Sequence, residues 1–226
     1  MHAFSSLVNK NNETTKDDEK ESLFSFTCVN EKAGKAYAVT FIKGGLEKRT
    51  TRKKTVVEHQ HAKITCVCPF APPFDAKKKH HVAASGARDG SIQIWSLDTG
   101  ELLKRHEKTL FGPVRDVCWS FDGAKVLLAG EGREQFAKCV DAETGTAVKD
   151  LSGATKACTT VCGSRKGKPH RVITGSEDFR VRFYTGGPPF QLEQRERAKR
   201  RTHTHEKYIN EVRMSRDDKY VLSAAG

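Results

Sequence analysis

The residues that could carry chemistry fall into four groups. Cys158 and Cys162, taken with His170 and His203, are donors of the kind zinc accepts. A matching second cysteine pair is missing, and Cys158 alternates with Thr159 along an apolar run. A small buried hydrophobe is the expected role there, as for Cys66, Cys68 and Cys118. His61 and His205 each stand just before an apolar run, while Asp89 and Asp178 stand in turns. Such pairs suit a buried hydrogen bond that locks a fold, not proton transfer. Glu131, Arg133 and Glu134, interspersed with Gly130 and Gly132, have the composition of an exposed loop with unusual backbone angles. Lys53-Lys54, Lys77 to Lys79 and the run from Arg195 to Arg201 could neutralise phosphates. No stacking aromatics are interleaved and glutamates interrupt the longest run, so it reads as a solvated loop, and no nucleic acid is expected as a partner. No Gly-x-Ser-x-Gly elbow, phosphate-binding loop or His-Glu-x-x-His helix occurs. No enzyme, cofactor or metal is expected.

The elements that must position these residues are short. The chain has 226 residues, 36% of them hydrophobic and 8% aromatic, and a formal net charge of +12. That charge favours acidic partners without choosing among them. No run approaches the roughly 20 consecutive apolar residues of a membrane-spanning helix, and no signal peptide is legible at the start. Seven scattered cysteines fit reduced thiols in the cytosol. Residues 1–22 are polar and charged, an expected disordered arm. From Leu23 onward, short apolar bursts alternate with Gly, Asp and Lys clusters, the pattern of many short strands.

One unit recurs: an alternating strand, a polar turn, then a strand ending in small residues. The first strands lead with Ile64, Val114, Cys158 and Ile209, so the unit returns every 44 to 51 residues. Second strands follow at Val82 to Gly86, Val126 to Gly130, Val172 to Gly175 and Val221 to Ala225. Asp89-Gly90 is a tight-turn signal. A third strand follows at Ile92 to Trp95 and again at Val181 to Tyr184. This period, with Trp95 in the place of the Trp-Asp tryptophan, predicts an all-β WD-repeat β-propeller. The expected network that locks its blades is His61, Asp89, Trp95, Asp178 and His205. The repeats start near residues 23, 58, 108, 152 and 203. The last is truncated, so about three and a half to four blades are expected, part of a longer protein.

Four segments are more specific: Gly112-Pro113-Val114-Arg115-Asp116-Val117-Cys118-Trp119-Ser120, Gly130-Glu131-Gly132-Arg133-Glu134-Gln135-Phe136, Thr174-Gly175-Ser176-Glu177-Asp178 and Gly187-Pro188-Pro189-Phe190. In order and spacing they resemble signature segments of the actin-interacting protein 1 family. The resemblance implies the first half of an N-terminal seven-bladed propeller. It also implies a cytoplasmic, cytoskeletal protein that binds actin filaments and promotes disassembly of filaments bound by cofilin (ADF), without covalent chemistry, small-molecule substrate or membrane. The expected partner-binding residues are Glu131, Arg133, Glu134, Phe136, Glu177 and Phe190, the last presented on a stiffened Pro-Pro turn. A generic WD-repeat scaffold of a multiprotein complex, with or without RNA, is the alternative. The third repeat departs from the family at Asp141 and at Gly153-Ala154, and residues 70–81 and 193–201 read as insertions.

Overall fold

The structure is a computed structural model. It describes residues 62–70, 82–97, 99–166, 170–186, 204–215 and 217–226, and the backbone of four further strands. Those four are β1 (Ser22–Asn30), β2 (Lys35–Lys43) and β3 (Thr50–Glu58), which form one sheet, and β15 (Gln191–Leu192). Outside the described residues lie the arm up to residue 21, His61, His203, Phe190 with its Pro-Pro turn, and the runs 71–81 and 193–201.

Every described element is a strand. The second sheet is β4 (Ile64–Phe70), β5 (Val82–Ala87), β6 (Ile92–Ser96) and β7 (Leu102–His106). The third is β8 (Val114–Trp119), β9 (Lys125–Gly130), β10 (Ala137–Asp141) and β11 (Ala147–Asp150). The fourth is β12 (Cys158–Gly163), β13 (Arg171–Ser176), β14 (Val181–Thr185) and β15. The fifth holds β16 (Ile209–Met214) and β17 (Val221–Ala225). Each is an antiparallel meander in sequence order. This is the architecture of consecutive propeller blades, and the predicted all-β, incomplete WD-repeat propeller is what the chain forms.

Sheets buried on both faces need apolar partners from two neighbours. One core joins Ala84, Ile92 and Ile94 of the second sheet to Val114, Val117, Trp119 and Leu128 of the third. Another joins Leu127, Cys139 and Leu151 to Cys158, Val161 and Tyr184 of the fourth. A third joins Ile173 and Val181 to Ile209, Val212 and Met214 of the fifth. Second strands carry small residues because the next blade's first strand presses on their ends. A Cβ on Gly86 would stand 2.5 Å from Cγ1 of Val114, and one on Gly175 would stand 2.6 Å from Cγ2 of Ile209.

One irregularity repeats. In β4, β8, β12 and β16 the register slips at the second residue, leaving Thr65, Arg115, Thr159 and Asn210 as bulge residues outside the ladder. A bulge re-aims the side chain it frees. Thr65 Oγ1 donates to the carbonyl of Val114 in the next blade, and Thr159 Oγ1 donates to that of Ile209. Arg115 departs from this rule, and its departure builds the site.

Candidate functional site: the loop rim of the third and fourth blades

First strands begin and second strands end on one face. The turns between second and third strands therefore lie beside the loops that lead into the first strands. Backbone bonds tie them together: Arg88 N to Lys63 O at 3.0 Å, Glu131 N to Pro113 O at 2.9 Å and Glu177 N to Ala157 O at 2.9 Å.

On this rim Arg115 joins two of the predicted residues from different blades. Its Nε and Nη2 donate to Oε1 of Glu131 at 2.8 and 2.6 Å, and Nη1 donates to Oε1 of Glu177 at 2.6 Å. Burial alone would lower the guanidinium's pKa, but the two carboxylates more than offset this and raise it. Glu177, expected to meet a partner, is thus also a tie between blades. Arg133 and Glu134 are exposed at the loop tip. Phe136 is half-buried against the core of the third and fourth blades, and with Glu134, Val148, Leu151 and Ala154 it lines a shallow groove beside β11.

The glycines of this loop correct an expectation. Gly130 and Gly132 do not have the unusual backbone angles anticipated for them, since neither lies at positive φ. Close approach excludes a side chain instead. A Cβ on Gly130 would sit 2.1 Å from the carbonyl oxygen of Pro113, and one on Gly132 would sit 1.8 Å from that of Gln135.

The expected locking network has a different wiring from the one anticipated. Trp95 Nε1 donates to Ser85 Oγ at 2.9 Å, and Asp89 Oδ1 accepts from Ser91 N and Oγ at 3.0 and 2.6 Å. His205 does not meet Asp178: its Nε2 lies 2.8 Å from Ser223 Oγ within its own blade. Asp178 is held by Arg182, with Nη1 to Oδ1 at 2.9 Å and Nη2 to Oδ2 at 2.6 Å. Thr155 N and Oγ1 add bonds at 3.0 and 3.1 Å, and Ser176 Oγ also donates. Burial pushes the Asp178 carboxyl up, but these donors, Arg182 foremost, hold it well below the usual carboxylate range. An arginine on the third strand therefore does the work expected of a histidine.

Sequence reasoning also missed Asp116. Its Oδ2 accepts from Thr160 Oγ1 and Val161 N, both at 2.9 Å, and its Oδ1 accepts from Val117 N at 2.9 Å. Arg213 of the fifth blade lies 3.7 Å away. Burial, only partly offset by Arg213 and these donors, raises its pKa. Aligning the four first strands would have exposed both residues. Arg115 stands where Thr65 and Thr159 stand, and Asp116 where Cys66 and Thr160 stand.

The cysteines weighed as metal ligands are core. Cys158 is buried beneath Leu151 and Tyr184, and its thiol is pushed up to about 12, chiefly by that burial. Among the described residues no group of three His, Cys, Asp or Glu side chains is placed to hold a metal ion. No helix among them is long and apolar enough to cross a membrane.

Stacked four-stranded meanders with a tryptophan bonded to a second-strand serine, and with loops as the polar face, define a WD-repeat β-propeller protein. Residues 51–96 match the family model described as WD domain, G-beta repeat. The chain is similar over most of its length to members of the actin-interacting protein 1 family. It is 36% identical over 142 residues to actin-interacting protein 1 of Drosophila melanogaster, an alignment covering 62% of this chain and 22% of that protein. It is 31% identical over 209 residues to the 66 kDa stress protein of Physarum polycephalum, covering 91% of this chain and 30% of that protein. It is also 31% identical over 166 residues to WD repeat-containing protein 1 of Xenopus tropicalis, covering 73% and 25%. The chain thus spans less than a third of the length of these relatives. Among solved structures, the computationally designed protein Ika4 superposes with a TM-score of 0.53 at 24% identity, covering 75% of this chain and 89% of that one, a likeness of fold.

Proposed function

We propose that this chain is part of an actin-binding WD-repeat protein of the cytoplasmic cytoskeleton that promotes disassembly of cofilin-bound actin filaments without catalysis. Its contact surface is the loop rim of the third and fourth blades, with Glu131, Arg133, Glu134, Phe136 and Glu177 as binding residues; Phe190, which falls between β14 and β15 in sequence, is a further contact away from that rim. One observation carries the placement. Glu131 and Glu177 belong to separate repeats, yet both end on Arg115. That tie fixes two loops against each other, as a preformed binding surface requires. The names of the relatives support the choice of actin as partner.

The test is cosedimentation of the full chain with actin filaments, with and without cofilin. The Glu134→Ala/Phe190→Ala double variant should bind filaments about tenfold more weakly, the scale of losing an interface anchor. Unchanged binding by the double variant would sink this placement of the site. A wild-type chain that stays in the supernatant would sink the actin reading itself.

A further inference from the structure

The turns at Asp89-Gly90-Ser91 and Asp178-Phe179-Arg180 are the same turn built twice. Gly90 N donates to Ala87 O, and Phe179 N donates to Ser176 O, each at 3.2 Å. Each aspartate accepts from the amide two residues on. Both central residues lie in the left-handed region, Gly90 at φ 83° and Phe179 at φ 70°. Glycine suits that geometry, whereas a Cβ there crowds the backbone. A bulky side chain at such a φ is a conformational outlier, and outliers of this kind cluster at functional sites.

Burial compensates for this strain only in part, because Phe179 remains 39% exposed. The Nζ of Lys156 lies 5.8 Å from the centre of its ring. The arrangement recurs one blade earlier. Phe111, in the loop leading into β8, is 69% exposed, and the Nζ of Lys138 lies 5.8 Å from its ring centre. Tyr208, in the loop leading into β16, is a third exposed aromatic on the same face.

Charge then selects the partner. Three nearby carboxylates are engaged within the chain, Glu131 and Glu177 by Arg115 and Asp178 by Arg182, while Glu134 at the loop tip stands beside Arg133. The rim therefore offers aromatic rings escorted by cations, on a chain of net charge +12. We propose that the Phe179–Lys156 and Phe111–Lys138 pairs are anchors for an acidic protein surface with apolar recesses, each ring entering a recess while its lysine meets a bordering carboxylate. The proposal rests on the actin reading above, so the acidic surface is that of the filament.

The discriminating experiment combines thermal melting with filament cosedimentation for the full chain, wild type against Phe179→Gly and Lys156→Glu. Phe179→Gly should melt higher than wild type, since the strain is relieved, yet bind filaments about tenfold more weakly. Lys156→Glu should weaken binding with little change in melting. A residue with only a structural role would not give higher stability with weaker binding. Phe179→Gly that binds as tightly as a binding wild type would overturn the anchor assignment alone, and one that melts lower would overturn the strain argument. No sedimentation of wild type would overturn the actin reading. Binding of single-stranded RNA in its place, lost in the same variants, would make nucleic acid the occupant and overturn the proposal.

Discussion

Asp178→Asn should destabilise the chain by about 3 kcal/mol at neutral pH, because it removes one partner of a buried, two-pronged ion pair. The side chains of Asp178 and Arg182 are only 8% and 7% exposed, so solvent cannot take over the role of the lost carboxylate. The guanidinium would stay in place with one charged partner fewer and its desolvation undiminished. The pH dependence has a definite sign. The folded carboxyl titrates below its ordinary value of 3.8, so its contribution is present above that value and fades as pH falls through the lower folded one. The gap between wild type and variant, measured by denaturant unfolding, should therefore be full at pH 7 and shrink progressively below about pH 4. Removing both partners in Asp178→Asn/Arg182→Met should harm the fold less than the single change, since no buried charge is then left unpaired. A single variant within about 0.5 kcal/mol of wild type at pH 7 would show that the pair does not hold the blade.

A loss of similar size is expected from Asp116→Ala, for a different reason. Asp116 is the acceptor for Thr160 Oγ1 and Val161 N on the neighbouring blade, and Arg213 of the blade beyond approaches it. Truncation leaves a backbone N–H and a hydroxyl without acceptors at a packed junction, each worth about 1–3 kcal/mol, so a total near 3 kcal/mol is expected. Asp116→Asn keeps an acceptor and should lose less. The sign of its pH dependence is opposite to that of Asp178. A carboxyl raised by burial is least costly to the fold at low pH, and its cost grows as pH rises from its ordinary value toward the raised one. A double-mutant cycle with Thr160→Val isolates the inter-blade bond. Additivity of the two single losses to within about 0.5 kcal/mol would mean that Asp116 and Thr160 do not cooperate.

These two aspartates show how far the sequence can be read. The recurring strand, turn and strand were legible because alternation and small residues are direct imprints of burial. The leading residues Ile64, Val114, Cys158 and Ile209 do begin the first strands of successive sheets. The tight turn at Asp89-Gly90 was legible because its backbone geometry restricts its residue types. The partners of Asp178 were not. The expectation of a histidine came from the usual repeat, and nothing local in Val181-Arg182-Phe183 announces that Arg182 turns back to the preceding turn. Arg115 escaped for a further reason. Simple alternation places its side chain by a period of two, and the register slip that frees it is a property of two paired strands, visible only once the ladder is drawn. Nothing in the sequence sets Phe179 apart, and only its backbone angle does.

That register slip has a wider consequence. A residue outside the ladder can change without disturbing the pairing of its own sheet, so each repeat carries one position free to choose how it grips the next. At Thr65 and Thr159 the grip is a neutral hydroxyl bond, indifferent to dissolved ions. At Arg115 it is a pair of half-exposed charge contacts that dissolved electrolyte weakens. The arc is thus hinged unevenly, and its seam between the third and fourth blades takes its stiffness partly from the surrounding medium.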